Sequence, residues 1–181
     1  CSLKPKVDRL AMVAEIQMNF RGDFESYKFY EAIINSHARI TYGEAQEIVD
    51  GSCPEKFSHV ENDVNRAADL AKILMAKRFS QGSLDLDIPE TEIILDESGT
   101  PIDIIKSERL FAHRLIEELM LAANVAVARY FEDHELNGIH RIHENPNSEK
   151  LKVLENFLSN FGTKLSLDGG KIQKKITKAL K

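Results

Sequence analysis

The sequence predicts an α+β domain, strand hairpins forming a mixed sheet packed by long helices, and three observations carry that prediction. Strand-type residues flank tight turns at 7–34 and again at 91–105. Apolar residues recur at helical spacing near 58–79 and 108–133. The order is hairpin, helices, hairpin, helices, with no repeat and no low-complexity tract between them.

Residues 7–20 read as a strand, in which Val7, Leu10, Met12, Val13, Ile16 and Met18 mix alternating and continuous apolar positions. Arg21, Gly22 and Asp23 form a hairpin turn, and 24–34 return as a strand rich in Tyr and Phe. Thr41 and Glu44 stand at capping-box spacing, so Thr41 caps a short helix through Val49. Asp50-Gly51-Ser52-Cys53-Pro54 breaks the chain. Val60, Val64, Ala67, Ala68, Ala71, Leu74 and Met75 then lie on one face of a long helix, which Gln81-Gly82 stops. The second hairpin pairs 91–95 with 102–105 around Asp96-Glu97-Ser98-Gly99. A second long helix covers about 108–133, and its middle, 119–128, is apolar almost all the way round, which predicts burial on every side. Residues 139–143 predict a short strand. Ser148 predicts the cap of a helix with Leu151, Leu154, Phe157 and Leu158 on one face, and the basic tail from Lys171 to Lys181 the start of another helix.

Composition is that of an ordinary globular protein, 43% hydrophobic and 29% charged over 181 residues. No apolar run approaches the roughly 20 residues needed to span a membrane, and the first six residues have no apolar segment behind their lysines, unlike a secretory signal. The chain starts at Cys1 rather than at a methionine, which predicts that it begins inside a longer protein. Two cysteines, Cys1 and Cys53, with no Cys-x-x-Cys, exclude a disulfide framework and predict a cytoplasmic protein. The net charge of −5 argues against a domain that binds nucleic acid by phosphate neutralisation over its whole surface. A locally positive channel within an acidic protein remains compatible with it.

The segment around Ile116-Glu117-Glu118 carries the most chemical information. At about 100° per residue, His113, Glu117, Met120 and Asn124 fall on one side of the second long helix. A carboxylate and an amide on a buried stripe need partners or a ligand. Two readings follow: a structural glutamate bonded to backbone or arginine, or a carboxylate facing a site. Glu118, about 100° further round, reads as a solvated or paired charge.

Residues 112–129, Ala-His-Arg-Leu-Ile-Glu-Glu-Leu-Met-Leu-Ala-Ala-Asn-Val-Ala-Val-Ala-Arg, resemble the Ile-Glu-Glu-x-Met-x-x-Ala-Asn segment of the ribonuclease II and ribonuclease R family. Four more stretches agree in order. Cys1-Ser2-Leu3 with Val7-Asp8-Arg9-Leu10 resembles that family's strand entry, and Ser36-His37-Ala38-Arg39-Ile40-Thr41-Tyr42 resembles its Ser-His-Ala-Arg-Leu-Thr-Tyr. Gly82-Ser83-Leu84-Asp85-Leu86-Asp87-Ile88-Pro89-Glu90 resembles its Gly-x-Leu-Asp-Phe segment, and His140-Arg141-Ile142-His143-Glu144 its Arg-x-His-Glu strand. Five matches in one order over nearly the whole chain identify residues 1–181 as the central part of a single RNB exoribonuclease domain, nearer to ribonuclease R.

The resemblance implies magnesium-dependent 3′→5′ hydrolysis of single-stranded RNA to nucleoside 5′-monophosphates. It implies RNA-binding roles for Tyr42, near the RNA 3′ end, and for Glu117, on the sugar of the terminal nucleotide, where a 2′-hydroxyl separates RNA from DNA. Leu86 stands where the family usually carries a phenylalanine that stacks on the terminal base. Stacking on an aromatic ring contributes about 1–3 kcal/mol per base, so the leucine implies a weaker clamp. The family's metal-binding Asp-x-x-Asp-x-Asp-Asp is not in this chain and is expected before Cys1. The Ser-Pro-Ile-Arg-Arg motif, whose arginines grip phosphate, is expected after Lys181. No catalytic or metal-ligating residue is therefore assigned here, the chain alone is expected to be inactive, and its cut surfaces are expected to self-associate.

Other polar residues receive structural readings. Asp85 and Asp87 share a strand face and could bind Mg²⁺, but read better as a solvated edge before Pro89. His140 and His143, three apart in a strand, point to opposite faces, which argues against a shared zinc site. His37 and Arg39 suit either a phosphate contact or a hairpin surface. The tail lysines form a solvated helix face, and Cys53 has no partner that would make it a nucleophile. The rival to an enzyme segment is a free-standing, non-catalytic module that binds RNA or a protein partner.

Overall fold

The computed structural model describes residues 3–85, 91–106, 108–167 and 172–179. Strands β1 (Asp8–Met18) and β2 (Phe24–Asn35) form a long antiparallel ribbon with a bulge at Gln17/Met18. Its turn is held by Asn19, whose Oδ1 accepts from the N–H groups of Arg21 and Asp23 at 2.9 and 3.0 Å. Gly22 adopts φ +71°, and a Cβ there would stand 3.1 Å from Leu74 Cδ2, so glycine answers both the backbone and the neighbour.

Helix α1 (Tyr42–Val49) begins with the capping box that Thr41 and Glu44 predict. Glu44 N–H donates to Thr41 Oγ1 at 3.3 Å, and Thr41 N–H donates to Glu44 Oε2 at 2.8 Å. Lys56 Nζ lies 2.6 Å from Glu44 Oε1, and that bond, with those from Thr41, pulls the Glu44 carboxyl down to about 2. A single 3₁₀ turn, Glu55–Phe57, delays the next helix, so α2 runs Glu61–Gln81 rather than starting at 58. It ends at Gly82 in the left-handed conformation, as the glycine stop predicts.

Strands β3 (Thr91–Leu95) and β4 (Pro101–Lys106) form the second hairpin, and α3 (Phe111–Asp133), α4 (Ser148–Ser159) and α5 (Ile172–Ala179) complete the described chain. The α+β class is as expected. The two hairpins, however, stand as separate two-stranded antiparallel sheets among the described residues, not as one mixed sheet. The core is the seam between α2 and α3, where Ala68, Ala71 and Leu115 are buried with Val49, Ala67, Phe111 and Leu119 against them. Alanines at 68, 71, 112, 122 and 126 let the helices approach closely. At the start of α3, Ala112 N–H donates to Gln46 Oε1 at 3.1 Å, tying that helix end to α1.

Three expectations are corrected. Burial of 119–128 is one-sided: Ala122 and Ala126 are buried, while Asn124, Val125, Val127 and Ala128 face outward, because β1–β2 touches α3 only along one side. Residues 139–143 are an irregular exposed segment instead of a strand; Ile139 and Ile142 are three apart, so they cannot share a strand face, and among the described residues no strand pairs with them. The cap of α4 is Asn147, whose side chain accepts from Glu149 N–H at 2.7 Å, not Ser148. On that helix Leu151, Leu154 and Leu158 are half-buried, whereas Phe157 is exposed and packs on Phe161 with ring centroids 5.1 Å apart. Among the described residues no helix is long and apolar enough to cross a membrane.

Candidate functional site

Two consecutive long helices each carry one charge on the stripe that faces the other. On α2 the inward positions Ala71 and Leu74 are followed, one turn on, by Arg78. On α3 the inward positions are Ala112, Leu115, Glu118, Ala122 and Ala126. Packing the alanine seam therefore drives Arg78 onto Glu118, which is only 3% exposed. Arg78 Nε and Nη2 both donate to Glu118 Oε1, at 2.9 and 2.5 Å, and the carboxylate holds the guanidinium's pKa above its usual value. Removing one partner of such a pair costs about 3–5 kcal/mol, because the other charge is left buried and alone.

The same guanidinium reaches Glu117, with Nη2 3.4 Å from Oε1. The other oxygen of Glu117 accepts from Arg109 Nη2 at 3.2 Å. Arg109 and Arg114 in turn hold Asp85, at 3.5 Å and 3.2 Å. Arg78, Arg109, Arg114, Asp85 and Glu117, with Met75, Phe79 and Leu84, line a cleft of about 170 Å³. Counting Glu118, three guanidiniums face three carboxylates, so the cleft is a charge-balanced ion-pair network. Asp85 is exposed, in keeping with the expectation of a solvated edge, and its ion pairs with Arg109 and Arg114 tie 83–85 to the start of α3.

Tyr42 is the first residue of α1, so the capping box at Thr41 sets its backbone. Its ring lies against His113, with centroids 4.1 Å apart and planes at 30°. His113 Nδ1 accepts from Leu110 N–H at 3.2 Å, which fixes the imidazole that supports the tyrosine. Tyr42 also borders a second, apolar hollow of about 490 Å³ between α1, α2 and α3, with Ile40, Val64, Ile116 and Leu119.

Of the residues singled out from sequence, Tyr42 and Glu117 come to the same helix, since His113 and Glu117 are one turn apart on α3. They line different hollows, Tyr42 the apolar one and Glu117 the charged one. Leu86 and Asp87 lie outside the described residues. The predicted inward stripe through Glu117, Met120 and Asn124 is corrected: Met120 and Asn124 are exposed, Glu117 is half-buried, and Glu118 is the buried, paired carboxylate. His140 and His143 are exposed in an irregular segment, and His37 and Arg39 are exposed beyond β2. Sequence reasoning missed Arg78, Arg109 and Arg114, although Arg78 left a signal: a charge spaced four residues after buried Leu74 on a buried stripe demands a partner.

Among the described residues no group of three or more His, Cys, Asp or Glu side chains is placed to hold a metal ion. Asp85 and Glu117 are engaged by arginines, so these residues do not fit a magnesium site.

The RNB domain model matches the chain over residues 1–181. Ribonuclease R of Aquifex aeolicus is 38% identical over 167 residues, 91% of this chain and 24% of that protein. Ribonuclease R of Escherichia coli is 34% identical over 172 residues, 94% of this chain and 21% of that protein. Among solved structures, RNase R of Mycoplasma genitalium in complex with ribose-methylated single-stranded RNA superposes with a TM-score of 0.87 at 29% identity, over 99% of this chain and 28% of that one. The chain thus spans about a quarter of the length of these relatives.

Proposed function

Since the chain belongs to the RNB domain family, we propose that it is the central part of the catalytic domain of a cytoplasmic 3′→5′ exoribonuclease acting on single-stranded RNA. The observation that carries this reading is the RNB-domain match over residues 1–181, with Glu117 fixed between two arginines in a cleft of paired charges. In this reading the Glu117 carboxylate accepts a hydrogen bond from the sugar of the 3′-terminal nucleotide. Tyr42, 47% exposed, offers a ring face near the same end. Leu86 makes an apolar contact where an aromatic ring would stack. Magnesium and its ligands belong to the longer protein, and these 181 residues contribute part of the binding wall and no catalytic or metal-binding group.

Two features support the chain being one part of a larger domain. It covers only about a quarter of its relatives. Its β1–β2 ribbon also exposes Leu10 (84%), Met12 and Ile33 together on one face. The isolated chain is expected to self-associate through that face, and a strictly monomeric mass by light scattering at high concentration would count against it.

The activity is tested with 5′-labelled single-stranded RNA and Mg²⁺ under nuclease-free conditions. The full-length protein is expected to give a ladder shortened from the 3′ end, and the isolated chain to leave the RNA intact. A full-length protein that leaves RNA intact would overturn the exoribonuclease reading. A ladder from the isolated chain that EDTA abolishes would overturn the assignment of the metal ligands to other parts of the protein.

A further inference from the structure

We propose that Arg78 and Arg109 are positioning residues for Glu117, holding its carboxylate in the orientation that distinguishes ribose from deoxyribose at the RNA 3′ end. The proposal rests on the exoribonuclease reading above and adds to it the source of the discrimination. A half-buried glutamate alone has several rotamers, and ordering it costs conformational entropy when substrate binds. Here each oxygen is met by a different guanidinium, Oε1 by Arg78 at 3.4 Å and Oε2 by Arg109 at 3.2 Å. Arg78 is itself fixed by two bonds to buried Glu118, and Arg109 by Asp85. The carboxylate is thereby set in place before any ligand arrives.

Being held does not exhaust it. A carboxylate has about four acceptor sites, and two remain for a hydroxyl donor. A 2′-hydroxyl can donate to them and a 2′-deoxy sugar cannot. Arginine suits the task because its planar fork spans two carboxylates with one rigid group, as Arg78 does between Glu117 and Glu118; a lysine ammonium has no such fork.

The test uses the full-length protein and two RNAs of one sequence, one ending in a ribonucleotide and the other in a 2′-deoxynucleotide, and reads the ratio of the rates at which the first nucleotide is removed. The unaltered protein is expected to favour the ribose end by about tenfold or more, the scale of one hydrogen bond to a charged group, and Glu117→Ala, which removes the acceptor altogether, to lose most of that ratio. Arg109→Gln and Arg78→Lys, the latter keeping a cation for Glu118, are expected to lower the ratio several-fold. A merely structural role would slow both substrates together and leave the ratio unchanged, and that result would overturn the proposal. If Glu117→Ala itself keeps the full ratio, the placement of Glu117 on the sugar falls, and the proposal with it. If the unaltered protein removes nothing from either RNA, the exoribonuclease reading fails instead.

Discussion

The α2–α3 pair and the β3–β4 hairpin were equally readable as secondary structure, yet they differ in what their apolar residues do. In the helix pair Ala68, Ala71, Leu74, Leu115 and Ala126 are buried, and the one charge sealed among them, Glu118, is matched by Arg78. In the hairpin Ile93, Leu95, Ile102, Ile104 and Ile105 are all exposed, although the strands pair along their length with one bulge at Ile94/Leu95. Local pattern sets the period of an element; burial depends on whether a partner exists within the described chain. The helices found theirs in each other. The hairpin packs mainly on itself.

The comparison can be broken at the charge. Arg78→Met leaves Glu118 buried without its partner and is expected to lower unfolding free energy by about 3–5 kcal/mol in urea titration. A loss under 1 kcal/mol would mean that solvent reaches Glu118. Leu115→Ala removes an apolar side chain from the same seam, and an expected loss of about 2–5 kcal/mol by the same titration separates packing from charge. Thr41→Ala, which removes half of the capping box ahead of Tyr42, is expected to cost about 1 kcal/mol. On the hairpin, Ile104→Thr is expected to change stability by less than about 0.5 kcal/mol, since a threonine keeps the strand preference and no packing is lost. A loss comparable with that of Leu115→Ala would show that the hairpin face is covered in solution.

A pH prediction sharpens the contrast between buried and exposed charge. Glu44 has its folded value depressed to about 2 from an ordinary 4.5, first by Lys56 and then by Thr41. A depressed carboxylate stabilises the fold above its unfolded value and loses that contribution as pH falls through its folded value. The cap of α1 is therefore expected to hold at pH 5 and to weaken progressively between about 4.5 and 2. In Glu44→Gln, the part of the acid dependence that comes from this residue should vanish, and an unchanged acid limb in both proteins would contradict it.

Much of this fold was legible because its signals are local. The turn at Gly22, the cap at Thr41 and the stop at Gly82 each solve a backbone problem that their own residues announce. What misled was rotational phase. Glu117 and Glu118 are adjacent, and composition alone cannot say which of two faces of an apolar helix meets a neighbour; the stripe chosen through Met120 and Asn124 turned out exposed. Reading α2 and α3 together resolves it, since Arg78 follows buried Leu74 on α2 and makes its two shorter bonds to Glu118, reaching Glu117 only at 3.4 Å. The segment at 139–143 misled for a related reason, because a strand is a pairing, and the apolar residues of a single segment do not specify a partner. Of the site, Tyr42 and Glu117 were legible through resemblance. Their arginine partners were not, since Arg78 and Arg109 come from distant positions in the chain that only the packed helices bring together.

The most direct test of the Arg78–Glu118 seam, on which the placement of Glu117 depends, is a double-mutant cycle in urea with Arg78→Met, Glu118→Leu and both together. Each single change is expected to be strongly destabilising, and the double variant to recover much of the loss, with a coupling of about 2–3 kcal/mol. Losses that simply add, with coupling below about 0.5 kcal/mol, would contradict a buried, mutually dependent pair and with it the fixed carboxylate at Glu117.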